Sequence, residues 1–222
     1  MNLQQIRDFV RGHMDLDPED LPDAVLDVMI REGSKRVERA ENRWPFYSHR
    51  WTYVTQTGVD EIDFSEVASN IEAIQSVKGP RWTLTYVGLG HADARWPENT
   101  STLSEPTHWS VDYQTLFLWP TPNGPYELTL RGYRTPIDWV ANGAGAEPDL
   151  PNDLHNTVAM WALARAYEQQ DDPEMASIFE RKFADEINLF RRRINDTPPA
   201  QPMVLNGRPS PGNPLRLRFD WE

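Results

Sequence analysis

The chain has 222 residues, a formal net charge of −12, no cysteine and a hydrophobic fraction of 39%. The lack of cysteine excludes disulfides, thiolate metal sites and cysteine nucleophiles, and the acidic balance argues against a protein that grips nucleic acid through its phosphates. No apolar run approaches the roughly 18 residues of a membrane-spanning helix, and the charged N-terminal segment is not typical of a signal peptide, so we expect neither.

The N-terminal segment predicts two amphipathic helices. The first has an apolar face over residues 3–11 and should end at Gly12. The second has two possible starts. Either Asp17 caps it, with Pro18 at the first helical position, or Pro22 opens it.

The second helix carries an apolar stripe near the helical period. Its candidate core residues are Val25, Met29 and Val37. Gly33 fills a missing position of the stripe, where a close helix contact can form. The helix should end near Arg43, because Pro45 disfavours helical geometry at the residue before it.

The middle of the chain, from residue 46, changes to the alternating pattern of β-strands. Residues 49–64 predict a hairpin that turns at Thr57-Gly58, and two further strands flank residues 78–80. The clearest strands lie on either side of a Pro- and Gly-containing turn at 120–124. Helix, then strands, then helix predicts an α+β fold with an antiparallel sheet.

The C-terminal third returns to helices after a Gly- and Ala-rich linker at 140–149. Residues 158–164 are apolar on all sides and predict a buried helix. Asp172 and Pro173 then begin another helix. Its candidate core residues, with one from the helix before it, are Trp161, Phe179, Phe183, Ile187 and Phe190.

These stripes predict three regions. Residues 1–45 and 148–195 should form one discontinuous helical bundle domain, and residues 46–147 should form an inserted β domain with its linker. Residues 196–222 form a Pro-rich arm whose end alternates apolar and charged residues, as in a strand that adds to an exposed sheet edge. The apolar arm residues are Leu215, Leu217, Phe219 and Trp221. A disordered tail is the alternative.

The sequence contains no clear catalytic or ligand-binding motif. The five histidines are scattered and show no metal-ligand spacing, and the Gly88-Leu89-Gly90 segment lacks the helix that a dinucleotide-binding motif requires. We therefore predict no catalytic, cofactor-binding or metal-binding residues.

The whole layout resembles the head-to-tail adaptor, or connector, proteins of tailed bacteriophages, including the tail tubular protein A type. Three segments carry the resemblance. Residues 39–46 read RAENRWPF, residues 116–136 read LFLWPTPNGPYELTLRGYRTP, and the helix pair at 150–190 begins LPNDLHNTVAMWALA and restarts at an Asp-Pro pair.

The resemblance implies a structural virion protein with no catalytic residues. It would form a ring, usually dodecameric, at the head–tail neck after assembly in the host cytoplasm. Its partners would be the portal protein, other copies of itself and the nozzle or tube proteins of the tail. The arm would contact the portal or a neighbouring copy.

DNA would leave through the ring without specific binding, since acidic side chains repel phosphates. The candidate channel-lining residues are Asp15, Asp17, Glu19 and Asp20. Two alternatives remain open. The first is a carbohydrate-binding or glycan-cleaving module of phage origin, because Trp-rich β regions bind sugars. A catalytic pair of carboxylates, as in glycan-cleaving enzymes, is recognised by its geometry and not from the sequence alone. An unrelated α+β binding protein is the other.

Overall fold

Helices occupy both ends of the described chain and two β-sheets lie between them, which confirms the predicted α+β class. The computed structural model describes residues 1–41, 43–96 and 103–195. The predicted arm at 196–222, with its four apolar residues, lies outside the described residues.

Helix α1 runs from Leu3 to Met14 and begins with a capping box, in which the Asn2 side chain accepts the Gln5 backbone N–H. The prediction that Gly12 ends this helix is wrong. The helix continues to the next position that can leave helical geometry, Asp15, whose φ of 55° forms a left-handed cap.

Helix α2 runs from Asp23 to Arg39, so the start at Pro22 is confirmed and the one at Asp17 is not. The helix ends before the predicted Arg43. The Trp44 indole N–H donates to the Val37 carbonyl oxygen at 2.9 Å, and thereby satisfies an acceptor that a longer helix would have used. The Trp44 ring is 2% exposed, so this bond also directs a large side chain into the interior.

Two short helices and two long ones follow along the chain. They are α3 (Phe64–Val67), α4 (Leu89–Arg95), α5 (His155–Gln169) and α6 (Pro173–Asn195). The predicted start of α6 is confirmed, because the Asp172 carboxylate accepts the Met175 backbone N–H at 3.0 Å. Helix α5 packs against α1, α2 and α6 and is therefore the centre of the helical part.

One hydrophobic cluster joins the helices of the two termini. It contains as buried residues Val37, Trp161, Phe179, Phe183 and Ile187. Partly buried residues that pack against it include Val25, Met29 and Phe190. Helices distant in sequence thus share one interior. Fully burying one such side chain stabilises the fold by roughly 1.5–3 kcal/mol.

The strands form two sheets. They are β1 (Ser48–Val54), β2 (Glu61–Asp63), β3 (Ile71–Lys78), β4 (Thr85–Tyr86), β5 (His108–Asp112), β6 (Thr115–Trp119) and β7 (Glu127–Arg134). One sheet has the order β1-β7-β3 and is antiparallel; the other has the order β2-β6-β5-β4 and is antiparallel except for the β4–β5 pair. A second hydrophobic cluster draws its buried residues from both sheets.

The predicted hairpin is wrong, and the strands on either side of the second turn do not pair with each other. Gly58 does form a turn, with φ of 79°, but β1 pairs with β7 and β2 pairs with β6, so no hairpin spans it. The turn at 120–124 joins β6 to β7, yet these strands lie in different sheets. Both edges of β6 are occupied by β2 and β5, which leaves β7 to pair between β1 and β3.

Gly132 has a packing role in the centre of the first sheet. Strand β3 shifts register against β7 at two irregularities, one between Ile71 and Ala73. A side-chain carbon at Gly132 would lie 1.9 Å from the Ala73 carbonyl oxygen. Only glycine therefore permits this approach of β3 to the central strand.

Candidate assembly surfaces

A polar junction ties the β region to the helices. The Arg134 guanidinium, at the end of β7, donates two hydrogen bonds to the Asp149 carboxylate, both of 2.6 Å. The same carboxylate accepts the Ile137 backbone N–H at 3.0 Å. The hydrogen bonds that Arg134 donates to Asp149 raise the pKa of Arg134, and burial raises the pKa of the neighbouring Tyr47 hydroxyl. A bidentate pair of this kind fixes orientation as well as adding energy.

The segment between β7 and α5 packs into the helical part. Trp139 is 3% exposed, and its indole N–H donates to the Ser34 hydroxyl on α2 at 3.0 Å. The Leu3 backbone N–H, in the first turn of α1, donates to the Ala146 carbonyl at 2.8 Å. The predicted linker therefore does connect the two regions, but its start belongs to the helical core.

The turn between α1 and α2 presents the four acids that the sequence indicates as channel-lining candidates. Asp15, Asp17, Glu19 and Asp20 are all exposed. The Asp20 carboxylate accepts the Asp17 backbone N–H at 3.3 Å, and Asp15 forms the left-handed cap of α1. Among residues 1–41, 43–96 and 103–195, none of the four acids forms an ion pair. We define this feature as the acidic turn, residues 15–20.

Two arginines on α1 bind the segment that directly follows the acidic turn, at the start of α2. Arg11 is 8% exposed and donates to the Leu21 carbonyl oxygen at 2.7 and 3.0 Å and to the Asp23 carboxylate at 2.5 Å. Arg7, also 8% exposed, pairs with Asp27 at 2.8 Å. These charge-assisted hydrogen bonds tie the start of α2 to α1 and thereby restrain the turn that joins the two helices.

An open groove lies between the C-terminal half of α2 and the middle of α6. Its volume is about 620 Å³. Its apolar floor includes Ala40, Phe183, Ala184 and Ile187, and its polar rim includes Glu32, Lys35, Arg36, Arg39 and Arg191. We define this feature as the basic groove.

The cations of the basic groove differ in what they contact. The Arg36 guanidinium lies 4.0 Å from the centre of the Trp161 ring, and Arg191 pairs with Glu41 at 3.0 Å. Lys35 and Arg39 are exposed and form no ion pair within the described part of the chain. Both cations act electrostatically on the nearby Glu38 carboxylate, and neither forms an ion pair with an acid of the described ranges.

The sequence shows the two basic clusters, at residues 35–39 and 191–193, but suggests only solvated helix ends. The clusters are separated by the whole β region, so only the packing of α2 beside α6 reveals a shared surface. A weak indication existed in the sequence, since both helices carry cations toward their C-terminal ends.

The described tryptophans pack in the interior of the protein. Every tryptophan in the described ranges is buried or half-buried, and the most exposed large aromatic residue there is Tyr113, at 86%. Sugar-binding surfaces need exposed aromatic faces, which these tryptophans do not supply. The feature that suggested a carbohydrate-binding module is therefore explained by core packing.

The described residues show little that is typical of other kinds of site. No group of three or more His, Asp or Glu side chains is arranged to hold a metal ion there. Within the same ranges, no helix has the length and apolar character needed to cross a membrane. His91 and Asp93, close in sequence, lie exposed on α4.

The described chain thus combines a helical part and a β part, joined by the Arg134–Asp149 pair, and carries an acidic and a basic surface. Residues 1–204 match the family model described as SU10 adaptor protein. The match covers most of the chain, so this protein belongs to that family, which is a phage head–tail adaptor family. No curated protein matches the chain.

Family membership confirms the predicted class of bacteriophage structural adaptor. It implies a virion component that associates with other head or tail proteins of the phage.

Proposed function

We propose that this adaptor assembles as a closed ring, dodecameric as in the tail tubular protein A type, between the capsid portal and the tail. The single observation that carries the proposal is the family match over residues 1–204. The architecture supports it, because a ring of identical copies needs two different sides on each subunit and a two-part chain offers them. The role is structural and requires no catalytic group.

In this proposal the ring extends the channel through which DNA leaves the capsid. A channel wall that repels phosphates lets the duplex slide, whereas a basic wall would retain it. The net charge of −12 and the exposed acidic turn support a wall of this kind, with Asp15, Asp17, Glu19 and Asp20 as the candidates. Inner-wall lysines or arginines bonded to DNA phosphates would contradict it.

The arm, residues 196–222, is proposed to reach another subunit, either the portal or a neighbouring copy. Pro-rich segments are extended and stiff, which suits a long reach. Leu215, Leu217, Phe219 and Trp221 would be the anchors, because large apolar side chains at alternate positions are costly to leave in water.

The test combines the purified chain with portal rings of the same phage and measures the mass of the complex by native mass spectrometry. We expect one portal ring to bind a full ring of adaptor copies. A chain that stays monomeric with and without portal would refute the ring.

A truncated chain that ends at residue 196 tests the arm separately. It should fold, with the circular dichroism melting curve of the full chain, and fail to join the portal ring. A second variant keeps the arm but changes Leu215, Leu217, Phe219 and Trp221 to Ser, and it should also fail to join the portal ring. Normal assembly of both variants would remove any role for the arm.

A further inference from the structure

The acidic turn and the basic groove lie toward opposite ends of α2. The acidic turn precedes the helix at Asp23, whereas Lys35, Arg36 and Arg39 lie in its last turns. An α-helix rises 1.5 Å per residue, so Asp23 and Arg36 are about 20 Å apart along the axis. Arg7 and Arg11 fix the start of α2 beside α1, so the carboxylates of the acidic turn cannot reach the groove of their own chain.

Contacts at the two ends of the helical part show which elements meet there. At the acidic end, the Tyr167 hydroxyl on α5 donates to the His13 carbonyl oxygen of α1 at 3.3 Å. At the basic end, the Trp44 and Phe190 rings are 5.8 Å apart and Arg191 pairs with Glu41. The exposed carboxylates of the acidic turn therefore lie at one end of the helical part, and the exposed cations Lys35 and Arg39 lie toward the other.

The charges of the two surfaces are complementary. The acidic turn brings four carboxylates, and there is no lysine or arginine between residues 12 and 30. In the basic groove, Arg36 pairs with Glu32 at 3.5 Å and Arg191 pairs with Glu41 at 3.0 Å, so Lys35 and Arg39 are the exposed cations that no described acid pairs with. Complementary potentials of this kind set the partner and the orientation of an interface.

From this geometry we infer that the basic groove receives the acidic turn of a neighbouring copy. Asp17 and Glu19 of one copy face Lys35 and Arg39 of the next, because these four side chains are exposed and unpaired among the described residues. Two different surfaces, one at each end, make a head-to-tail contact that repeats around a ring. The inference rests on the proposed ring and names the surfaces that close it.

The inference also affects the channel. A contact at the acidic turn lies at the seam between neighbouring copies. Asp17 and Glu19 are then engaged by cations, whereas Asp15 and Asp20 hold the shape of the turn and remain available to face the lumen.

Charge reversal on each side tests the contact with full-length chains. The turn variant is Asp17→Lys/Glu19→Lys, and the groove variant is Lys35→Glu/Arg39→Glu. Arg36 stays unchanged, because it stacks on Trp161. The matched control, Glu105→Lys/Asp112→Lys, reverses the same number of exposed acids in the β region.

Each variant is measured by native mass spectrometry with portal rings at low salt, where exposed charges act most strongly. Each reversed variant alone should lose ring formation by about tenfold or more, because like charges then face each other at every contact. The control should assemble as the unchanged chain does.

A mixture of the two reversed variants supplies the decisive observation. In an alternating ring, the basic turn of the turn variant faces the acidic groove of the groove variant at every second contact. At the contacts between these, the unchanged acidic turn of the groove variant faces the unchanged basic groove of the turn variant, so opposite charges meet at every contact of an even-numbered ring. Rings should return with equal amounts of both chains. Recovery would show that both variants are folded, because misfolded chains would fail in the mixture as they fail alone.

The outcomes separate the two proposals. If the unchanged chain forms rings and both reversed variants do so equally well, or if the mixture does not recover, the contact inferred here is wrong and the ring stands. If the unchanged chain forms no ring on the portal, the proposed function is wrong and this inference with it.

Discussion

Replacing Gly33 by alanine tests a close contact between α2 and α5. Gly33 is a buried residue of α2. An added Cβ would lie 3.1 Å from both Cβ and Cδ1 of Trp161 and 3.2 Å from the Val158 carbonyl oxygen, both on α5. Because two of these atoms belong to the α5 backbone or are attached directly to it, the helices themselves must separate slightly to admit a methyl group.

The Trp161 ring has little freedom to move aside. The guanidinium groups of Arg36 and Arg165 lie 4.0 and 4.3 Å from its centre, and the Phe183 ring centre is 5.0 Å away. Overpacking a filled interior typically costs about 1–3 kcal/mol. The higher helix propensity of alanine offsets about 1 kcal/mol of this cost. We therefore expect Gly33→Ala to lower the free energy of unfolding by about 1 kcal/mol, the difference between these two terms.

Gly12→Ala is the matched control. Gly12 lies in α1, and an added Cβ would meet nothing within 4 Å. Only the helical preference acts there, so this variant should gain about 0.5–1 kcal/mol. Urea unfolding followed by circular dichroism should then separate the two variants by about 2 kcal/mol, or about 4–8 °C in melting temperature. A Gly33→Ala variant as stable as Gly12→Ala would refute the close packing of α2 on α5.

Three further predictions concern the sheet, the junction and pH. Gly132→Ala should destabilise by about 3 kcal/mol or more, because its Cβ overlaps a carbonyl oxygen of β3; Gly124→Ala, where an added Cβ meets nothing within 4 Å, should be near neutral in the same urea titration. Arg134→Met leaves the Asp149 carboxylate without its bidentate partner and should cost about 2 kcal/mol, measured by thermal melting; an unchanged melting temperature would contradict the junction. Burial and the N-terminal ammonium group lower the pKa of His155 below its ordinary 6.5, so the unfolded chain binds the proton more tightly and stability should fall as pH drops below about 6.5. In His155→Gln this part of the fall should disappear, and equal slopes between pH 8 and 5 in both proteins would contradict the assignment.

The helices are readable from the sequence because their determinants are local. The start of α6 follows from Asp172 as an N-cap with proline after it, and its buried face follows from apolar residues spaced three or four apart. The end of α2 is less readable, because it depends on the Trp44 indole folding back onto Val37. That bond forms only once the tryptophan has a cavity to enter.

Strand pairing is not local, and here the sequence misleads. Gly58 makes a turn that looks like a hairpin turn, but the partner of β1 is a strand that follows more than 70 residues later. Which strand pairs with which depends on the edges left free by all the others, and this cannot be seen in a single segment. The basic groove could not be predicted from the sequence for the same reason, because its two sides come from α2 and α6.

Electron microscopy of the chain bound to portal rings of the same phage tests the central claim most directly. We predict averages in which the adaptor forms a closed ring, coaxial with the portal and open at its centre. Isolated adaptor subunits at irregular positions on the portal, or no bound adaptor at all, would contradict the account.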